Sequence, residues 1–289
     1  MKHFLIYTNK NKDKDLKTTE SIRAYLTDRG QKVTVKEAEW KNKTCNLADA
    51  MAEACDIPES IDCMIVLGGD GTVLQAARDT KSMGIPIIGF NLGTLGYMTE
   101  LDAGNLEEGL DRLIAGDYEE QSRMMIKGKV FHTSGETEEG WALNDIVVSR
   151  SGSLQIIKFV VRVNGQFLHE YNADGMIVTT PTGSTGYNLS AGGPIVEPGS
   201  KLIVLTPICP HTLIQRSIAL ASDDVVEIEI PMGREDMPQT VEVHFDGSHR
   251  IILQTGDRIR IVKSEESIKF VQLNQVSFLE VLHKKMREA

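Results

Sequence analysis

Cysteine, proline, aromatic side chains and basic charge are all scarce in this chain of 289 residues, and each scarcity removes a class of protein. There are four cysteines (Cys45, Cys55, Cys63 and Cys209), with no C-x-x-C pair and no histidine at zinc-finger spacing. That pattern excludes a disulfide scaffold and a structural zinc module, and reduced thiols are expected instead. Nine prolines and no internal repeat exclude collagen-like and low-complexity chains. Aromatic residues make up only 6%. The 31 Lys+Arg stand against 41 Asp+Glu, a net charge of -10, so neither nucleic acid nor an anionic membrane is expected as a partner. No apolar run approaches the ~20 residues of a spanning helix. The opening MKHFLIYTNKNKDKD carries an apolar stretch too short for a signal-peptide core, so a cytoplasmic setting is expected.

The chain does hold 25 glycines and an ordinary 41% of apolar residues, enough for a substantial core. Over the first ~118 residues, strand-like and helix-like segments alternate. HFLIYT (3–8), KVTVK (32–36), CMIVL (63–67) and IPIIGF (85–90) read as strands, and 16–29, 47–54 and 73–83 as helices. Gly30 stands at a left-handed helix end, and Asn105 with Glu108 resembles a capping box. Beyond Tyr118 short strands dominate: 130–132, 146–149, 156–163, 176–179, 202–205, 225–230, 240–245 and 258–263, with a hairpin at Asn164-Gly165. Phe278, Leu282 and Met286 then share one face of a closing helix, expected to pack on the body. The expected fold class is α/β plus β. It has a Rossmann-like parallel-sheet domain (1–118), a β-rich sandwich-like domain (119–268) and a C-terminal segment with a helix (269–289).

The sharpest local feature is Gly68-Gly69-Asp70-Gly71-Thr72, directly after the buried strand CMIVL and leading into a helix for which Thr72 is the expected N-cap. A strand-to-helix turn at the carboxyl end of a parallel sheet is where such folds hold ligands. Glycines there let backbone N–H groups approach a phosphate, and the helix N-terminus adds partial positive charge. It is neither a Walker A loop, since no Gly-Lys-Ser/Thr follows, nor the dinucleotide fingerprint, since the third glycine position falls on Leu74. A carboxylate in a phosphate cradle repels its ligand unless it does chemistry or holds a metal, and Asp70 can accept a hydroxyl proton during phosphoryl transfer. GGDGT in this setting resembles the superfamily of NAD, diacylglycerol and sphingosine kinases and, more distantly, phosphofructokinases.

The segment from Asp174 to Pro194 (DGMIVTTPTGSTGYNLSAGGP) runs a strand into a loop dense in hydroxyls and glycines beside Tyr187. Short donors and acceptors on an approachable backbone suit a sugar and a base. This stretch closely resembles the NAD kinase signature, which the lipid kinases do not carry. Leu143-Asn144-Asp145-Ile146, Phe90 to Tyr97, Pro210 to Leu213 and Phe245-Asp246-Gly247 resemble further motifs of that family, in order. The resemblance implies transfer of the ATP γ-phosphoryl group, with Mg²⁺ or another divalent cation accompanying ATP, to the adenosine 2′-hydroxyl of NAD. It implies Asp70 as proton acceptor and Gly68, Gly69 and Thr72 facing the ATP phosphates. It assigns NAD contacts to Asp70, Gly71, Asn144, Asp145, Asn172, Asp174, Thr185, Gly186, Tyr187, Asn188, Leu189 and Ser190, with Asn91, His211 and Asp246 as additional candidates. It further implies a homodimer or homotetramer and no protein cage for the metal.

Some positions depart from the family pattern. Gly186 stands where Ala is commonest, Asn172 where Arg or Lys is frequent, and Ser248 where a longer polar side chain is frequent. A basic contact near the substrate is therefore expected either to be missing or to be supplied by Lys158 or Arg162. His211 reads as a structural histidine satisfied by backbone, and Arg123, Arg216 and Arg234 as mostly solvated surface. A lipid kinase or a non-catalytic nucleotide sensor on the same fold are the rival readings. Retention of Asp70 speaks against the sensor.

Overall fold

The computed structural model describes residues 1–38, 57–58, 60–93, 96–152, 155–212, 216–273 and 277–288. Helix 47–54, with Cys45 and Cys55, lies outside the described residues. The chain divides into two units, Met1–Arg123 with Ser267–Ala289, and Met124–Glu266. No described helix is long and apolar enough to cross a membrane.

In the first unit, β1 (His3–Thr8), β2 (Lys32–Glu37), β3 (Cys63–Gly68) and β4 (Ile87–Asn91) form a parallel sheet in the order β2-β1-β3-β4. Every residue of β1 and β3 is buried, as apolar runs covered on both faces require. Helices α1 (Lys17–Asp28) and α2 (Asp70–Asp79) follow β2's neighbour β1 and the central β3 respectively. Ile22 and Leu26 of α1 join Phe4, Ile6, Ile65 and Leu67 in one core, which also takes Leu110 and Leu113 of α3 (Leu106–Ala115). Helix α1 ends as expected: Gly30 takes φ +76° and the Gln31 N–H returns to the Leu26 carbonyl at 3.0 Å. The capping box at Asn105 is not formed. Asn105 caps α3 by backbone only, because its side-chain oxygen accepts the Asp102 N–H at 2.8 Å instead.

The second unit is built from antiparallel sheets. Strands β5 (Glu119–Phe131) and β6 (Thr137–Ala142) pair with each other. The order β12-β11-β10-β7-β14-β15 joins Ile218–Ala221, Leu202–Ile208, Gly175–Thr179, Asp145–Arg150, Thr240–Phe245 and His249–Gln254. Opposite lie β8 (Ile157–Val163), β9 (Gln166–Ala173) and β13 (Val226–Glu229), with β16 (Arg258–Gln272) alongside β13. Ile146, Val148, Met176, Val178, Val241 and Val243 from one layer meet Phe159, Val161, Val226, Ile228, Ile259 and Ile261 from the other. Each such fully buried side chain contributes roughly 1.5–3 kcal/mol. The hairpin between β8 and β9 turns on Asn164 and Gly165, both at positive φ (51° and 78°), the geometry that Asn-Gly favours.

Several boundaries differ from the sequence expectation. Strand β16 runs on to Gln272 rather than stopping at Lys263, because Ser264–Glu266 keeps alternating faces while its polar residues mimic a turn. Its end reaches the first unit, where Phe270 pairs in parallel with Ile87. Strands β6, β12 and β15 were not expected. A short helix α4 (Tyr187–Ser190) lies in the segment expected as a loop, and α5 (Phe278–Glu288) is more exposed than anticipated. On α5, Met286 is 70% exposed and does not pack, whereas Phe278 and Leu282 are half-buried. Lys285 Nζ lies 4.7 Å from the Tyr97 ring centroid.

Candidate functional site

In the first unit, β1 and β3 are neighbours although the chain leaves β1 for the outer strand β2 and β3 for β4 on the other side. This is a topological switch point, and the loops at the carboxyl ends of β1 and β3 flank the crevice that such points create. The Gly68–Thr72 turn is one of those loops. Gly69, extended, takes the N-cap position, and its carbonyl accepts the Thr72 and Val73 N–H groups at 2.8 and 3.2 Å. Asp70 is therefore the first residue of α2, and the expectation of Thr72 as N-cap is corrected. Thr72 is instead buried in the first turn, where its hydroxyl accepts Asn9 Nδ2–H at 3.3 Å.

Asp70 is held from a loop 27 residues away. Its Oδ2 accepts the Tyr97 N–H at 3.0 Å and its Oδ1 the Met98 N–H at 3.1 Å. Two backbone donors fix the carboxylate's orientation while each oxygen keeps a free lone pair. The close approach needs glycine at 96, since a Cβ there would overlap Asp70 Oδ1. Gly96 and Tyr97 lie within the Phe90–Tyr97 motif already noted in the sequence, but their contact with Asp70 was not expected from it. Asn91 closes its own turn, its side chain exchanging two 2.9 Å hydrogen bonds with Gly93.

In the second unit, the Asn144-Asp145 turn and the Thr180–Ser190 loop are fastened to each other. The Asn144 carbonyl accepts the Thr180 N–H at 2.8 Å and the Thr179 hydroxyl at 2.9 Å, and the Thr180 hydroxyl donates to the Leu143 carbonyl. Asp246, at φ 47°, accepts the N–H groups of Leu143, Asn144 and Asp145 at 2.8, 2.8 and 3.1 Å. Its carboxylate is thus occupied in holding this turn. Asp145 is only 6% exposed, and burial, with Asp246 beside it, pushes its carboxyl up to about 7. Asn144 Oδ1 is a buried acceptor with no partner among the described residues, which in a native protein calls for a ligand or water.

Asp174 pairs with Arg150, Nε to Oδ1 at 3.3 Å. Tyr187 is 48% exposed, and burial raises its phenol, with Cys209, Asp174 and Asp145 adding to the effect. Leu189 and Ser190 are exposed and Thr185 and Gly186 half-buried. Asn188 differs: it is fully buried, its amide donating to the Ser184 and Pro194 carbonyls (3.0 and 2.9 Å) and accepting the Thr206 hydroxyl at 2.7 Å. It shapes the loop from inside.

Asn172 is exposed. The basic side chains expected near it are engaged elsewhere, Lys158 with Glu170 at 3.0 Å and Arg162 over the Phe167 ring, so Arg150 supplies the positive charge at Asp174. His211 is exposed, and its backbone N–H bonds to the Asn172 carbonyl at 2.8 Å. It is not a buried structural histidine. Arg123, 9% exposed and bonded to Gln121, is a packing residue rather than solvated surface. Among the described residues no group of three or more His, Cys, Asp or Glu could hold a metal ion.

Residues 4–118 match the family model of the ATP-NAD kinase N-terminal domain, and residues 143–273 that of the ATP-NAD kinase C-terminal domain. The chain is 42% identical over 297 residues to an NAD kinase of Lachnospira eligens, covering 99% of this chain and 100% of the relative. It is 44% identical over 286 residues to an NAD kinase of Agathobacter rectalis, covering 99% of each. Among solved structures it resembles yeast NADH kinase complexed with NADH (TM-score 0.84, 23% identity, 99% of this chain and 88% of that one). It also resembles an NAD kinase from Archaeoglobus fulgidus in complex with ATP (TM-score 0.75, 26% identity, all of both chains).

Proposed function

The chain belongs to the NAD kinase family, and from that premise we propose how its own residues divide the work. It is an enzyme that phosphorylates NAD to NADP with ATP as donor. In the proposed mechanism Asp70 takes the proton of the adenosine 2′-hydroxyl as that oxygen attacks the γ-phosphorus. The bond to the β-bridging oxygen breaks and ADP leaves. Support comes from the carboxylate's fixation by the Tyr97 and Met98 N–H groups, which positions it without consuming its basic lone pairs.

Gly68 and Gly69 present backbone to the ATP phosphates at the N-terminus of α2, with Thr72 forming the floor of that turn. Magnesium, or another divalent cation, would be carried in on the ATP phosphates. When bound it would neutralise charge that develops on the transferring group. On the NAD side, the unpartnered Asn144 Oδ1 suits the adenine amino group and Asp145 a ribose diol. Gly71, Asn172, Asp174, Thr185, Gly186, Tyr187, Leu189 and Ser190 are proposed contacts, with Tyr187 able to stack and Asn188 acting through the loop backbone. The protein is proposed to assemble as a homodimer or homotetramer, consistent with the exposed Leu279 and Met286 of α5.

The single observation that carries the mechanistic reading is the clamped Asp70. Replacing Asp70 with Asn should leave NAD binding within about threefold while lowering turnover at least ~100-fold. A variant that turns over at the parental rate removes the general base from this account. Sedimentation of the purified protein tests the assembly, and a single monomeric boundary would overturn it.

A further inference from the structure

We propose that Lys12 is the cationic contact for the ATP polyphosphate chain, reaching it from the loop that follows β1. The inference rests on the reading that the phosphates lie over Gly68 and Gly69, and it identifies the side chain that offsets their charge.

The loop is built to hold the backbone at this lysine in place. The chain leaves β1 in a tight turn in which the Lys12 and Asp13 N–H groups both bond to the Asn9 carbonyl at 2.9 Å. Asn9 is 3% exposed: its N–H bonds to the Leu67 carbonyl of β3 at 3.2 Å, its Oδ1 accepts the Asn11 N–H, and its amide donates to Thr72. One buried asparagine therefore ties the turn to both the strand and the helix that bracket Gly68–Gly69. On the other side, Asp13, also 3% exposed, accepts the Thr18 and Thr19 N–H groups (3.0 and 2.8 Å) and the Thr19 hydroxyl, anchoring the turn to the start of α1. Lys12 sits between two buried anchors.

Its Nζ lies 2.9 Å from where a Cβ on Gly69 would stand. The ammonium thus rests directly against the glycine backbone that would carry the phosphates, at the switch point of the sheet. Nearby Lys10 is neutralised by an ion pair with Glu37, whereas Lys12 has no carboxylate partner among the described residues. An unpaired ammonium beside a glycine turn at a helix N-terminus is suited to a polyanion, and a flexible lysine can follow it as a point charge.

The test is steady-state kinetics of the full chain with Mg²⁺-ATP and NAD, together with calorimetric ATP binding in the absence of NAD. Lys12→Met should raise KM and Kd for ATP about tenfold, the order of one charge-assisted contact, and leave KM for NAD within twofold. Lys12→Arg should recover most of that loss, and Lys10→Met should behave as the parent. The proposal is overturned if Lys12→Met leaves both ATP constants unchanged, raises both KM values equally, or is not improved by arginine. Gly69→Ala, which puts a methyl group into the cradle, separates the two levels of the argument. If it weakens ATP use while Lys12→Met does not, only the lysine assignment falls. If neither variant affects ATP, the placement of the phosphates on this loop falls with it.

Discussion

Replacing Asp145 with Asn should make this protein more pH-tolerant and less able to bind NAD. Asp145 is 6% exposed, beside Asp246, and its carboxyl rises from the ordinary 3.8 to about 7. That difference of 7 − 3.8, or 3.2, corresponds to a penalty on the order of 4 kcal/mol for holding the ionised group in the folded state. The sign follows from proton counting. Between pH 4 and 7 the folded state keeps a proton that the unfolded state has lost, so stability falls as pH rises through that window and is level above it. At pH 5 less than half of the penalty is in place, so roughly 2.5 kcal/mol of stability is lost between pH 5 and pH 8. An asparagine has no proton to lose, and any cost of burying its amide is independent of pH. The gap in melting temperature between variant and parent should therefore widen by roughly 5–10 °C from pH 5 to pH 8. In parallel, the parent's KM for NAD should fall as Asp145 ionises, and the variant's should be higher and flat. The assay is thermal unfolding at half-unit pH steps with NAD kinetics at the same values. Parallel melting curves across the whole range would refute the reasoning, because Asp145 would then ionise as an ordinary carboxyl.

Other expectations rest on separate contacts. Gly96→Ala would drive a methyl group into the Asp70 carboxylate and should lower turnover by about 10–100-fold with KM for NAD little changed, measured by initial rates. Asp246→Ala would strip three backbone N–H groups of their acceptor and should destabilise the protein by about 2–4 kcal/mol in urea unfolding. For His132, burial works against the charged form, but hydrogen bonds and charge from Asp257 and Glu138 outweigh it and the imidazole pKa is raised. Its stabilising effect is then complete below pH ~6.5 and fades as pH climbs through the raised value. His132→Gln should accordingly melt lower than the parent at pH 6, and that gap should narrow by pH 9.

Much of this molecule is local in origin and therefore legible along the chain. The turn GGDGT announces itself because glycines, an acid and a helix start are contiguous, and Asn164-Gly165 marks its hairpin for the same reason. Continuous apolar runs such as CMIVL disclose a buried parallel strand before any neighbour is known. Where polar residues interrupt a strand, as at Ser264–Glu266, the same reasoning stops too early, since pairing with distant partners outweighs the local turn preference. Thr72 does not cap its helix, for a related reason. A glycine one turn earlier could take the extended cap conformation, and a hydroxyl 63 residues from Asn9 had a buried partner that no nearby residue reveals.

By itself, then, the sequence determined the family's chemistry and the class of fold: a glycine-rich turn with an acid in it after a buried strand, and a hydroxyl-rich loop after another. The tertiary structure decided what each polar group is free to do. It turned Asp246 into a clamp, Asn188 into a loop brace and Arg150 into the partner of Asp174. It also fastened Asp70 to a loop 27 residues away and set Lys12, which has no carboxylate partner among the described residues, against Gly69. The physical reason is that a residue type states which hydrogen bonds and charges it can offer, whereas which of them remain unspent depends on partners that only folding brings within three ångströms.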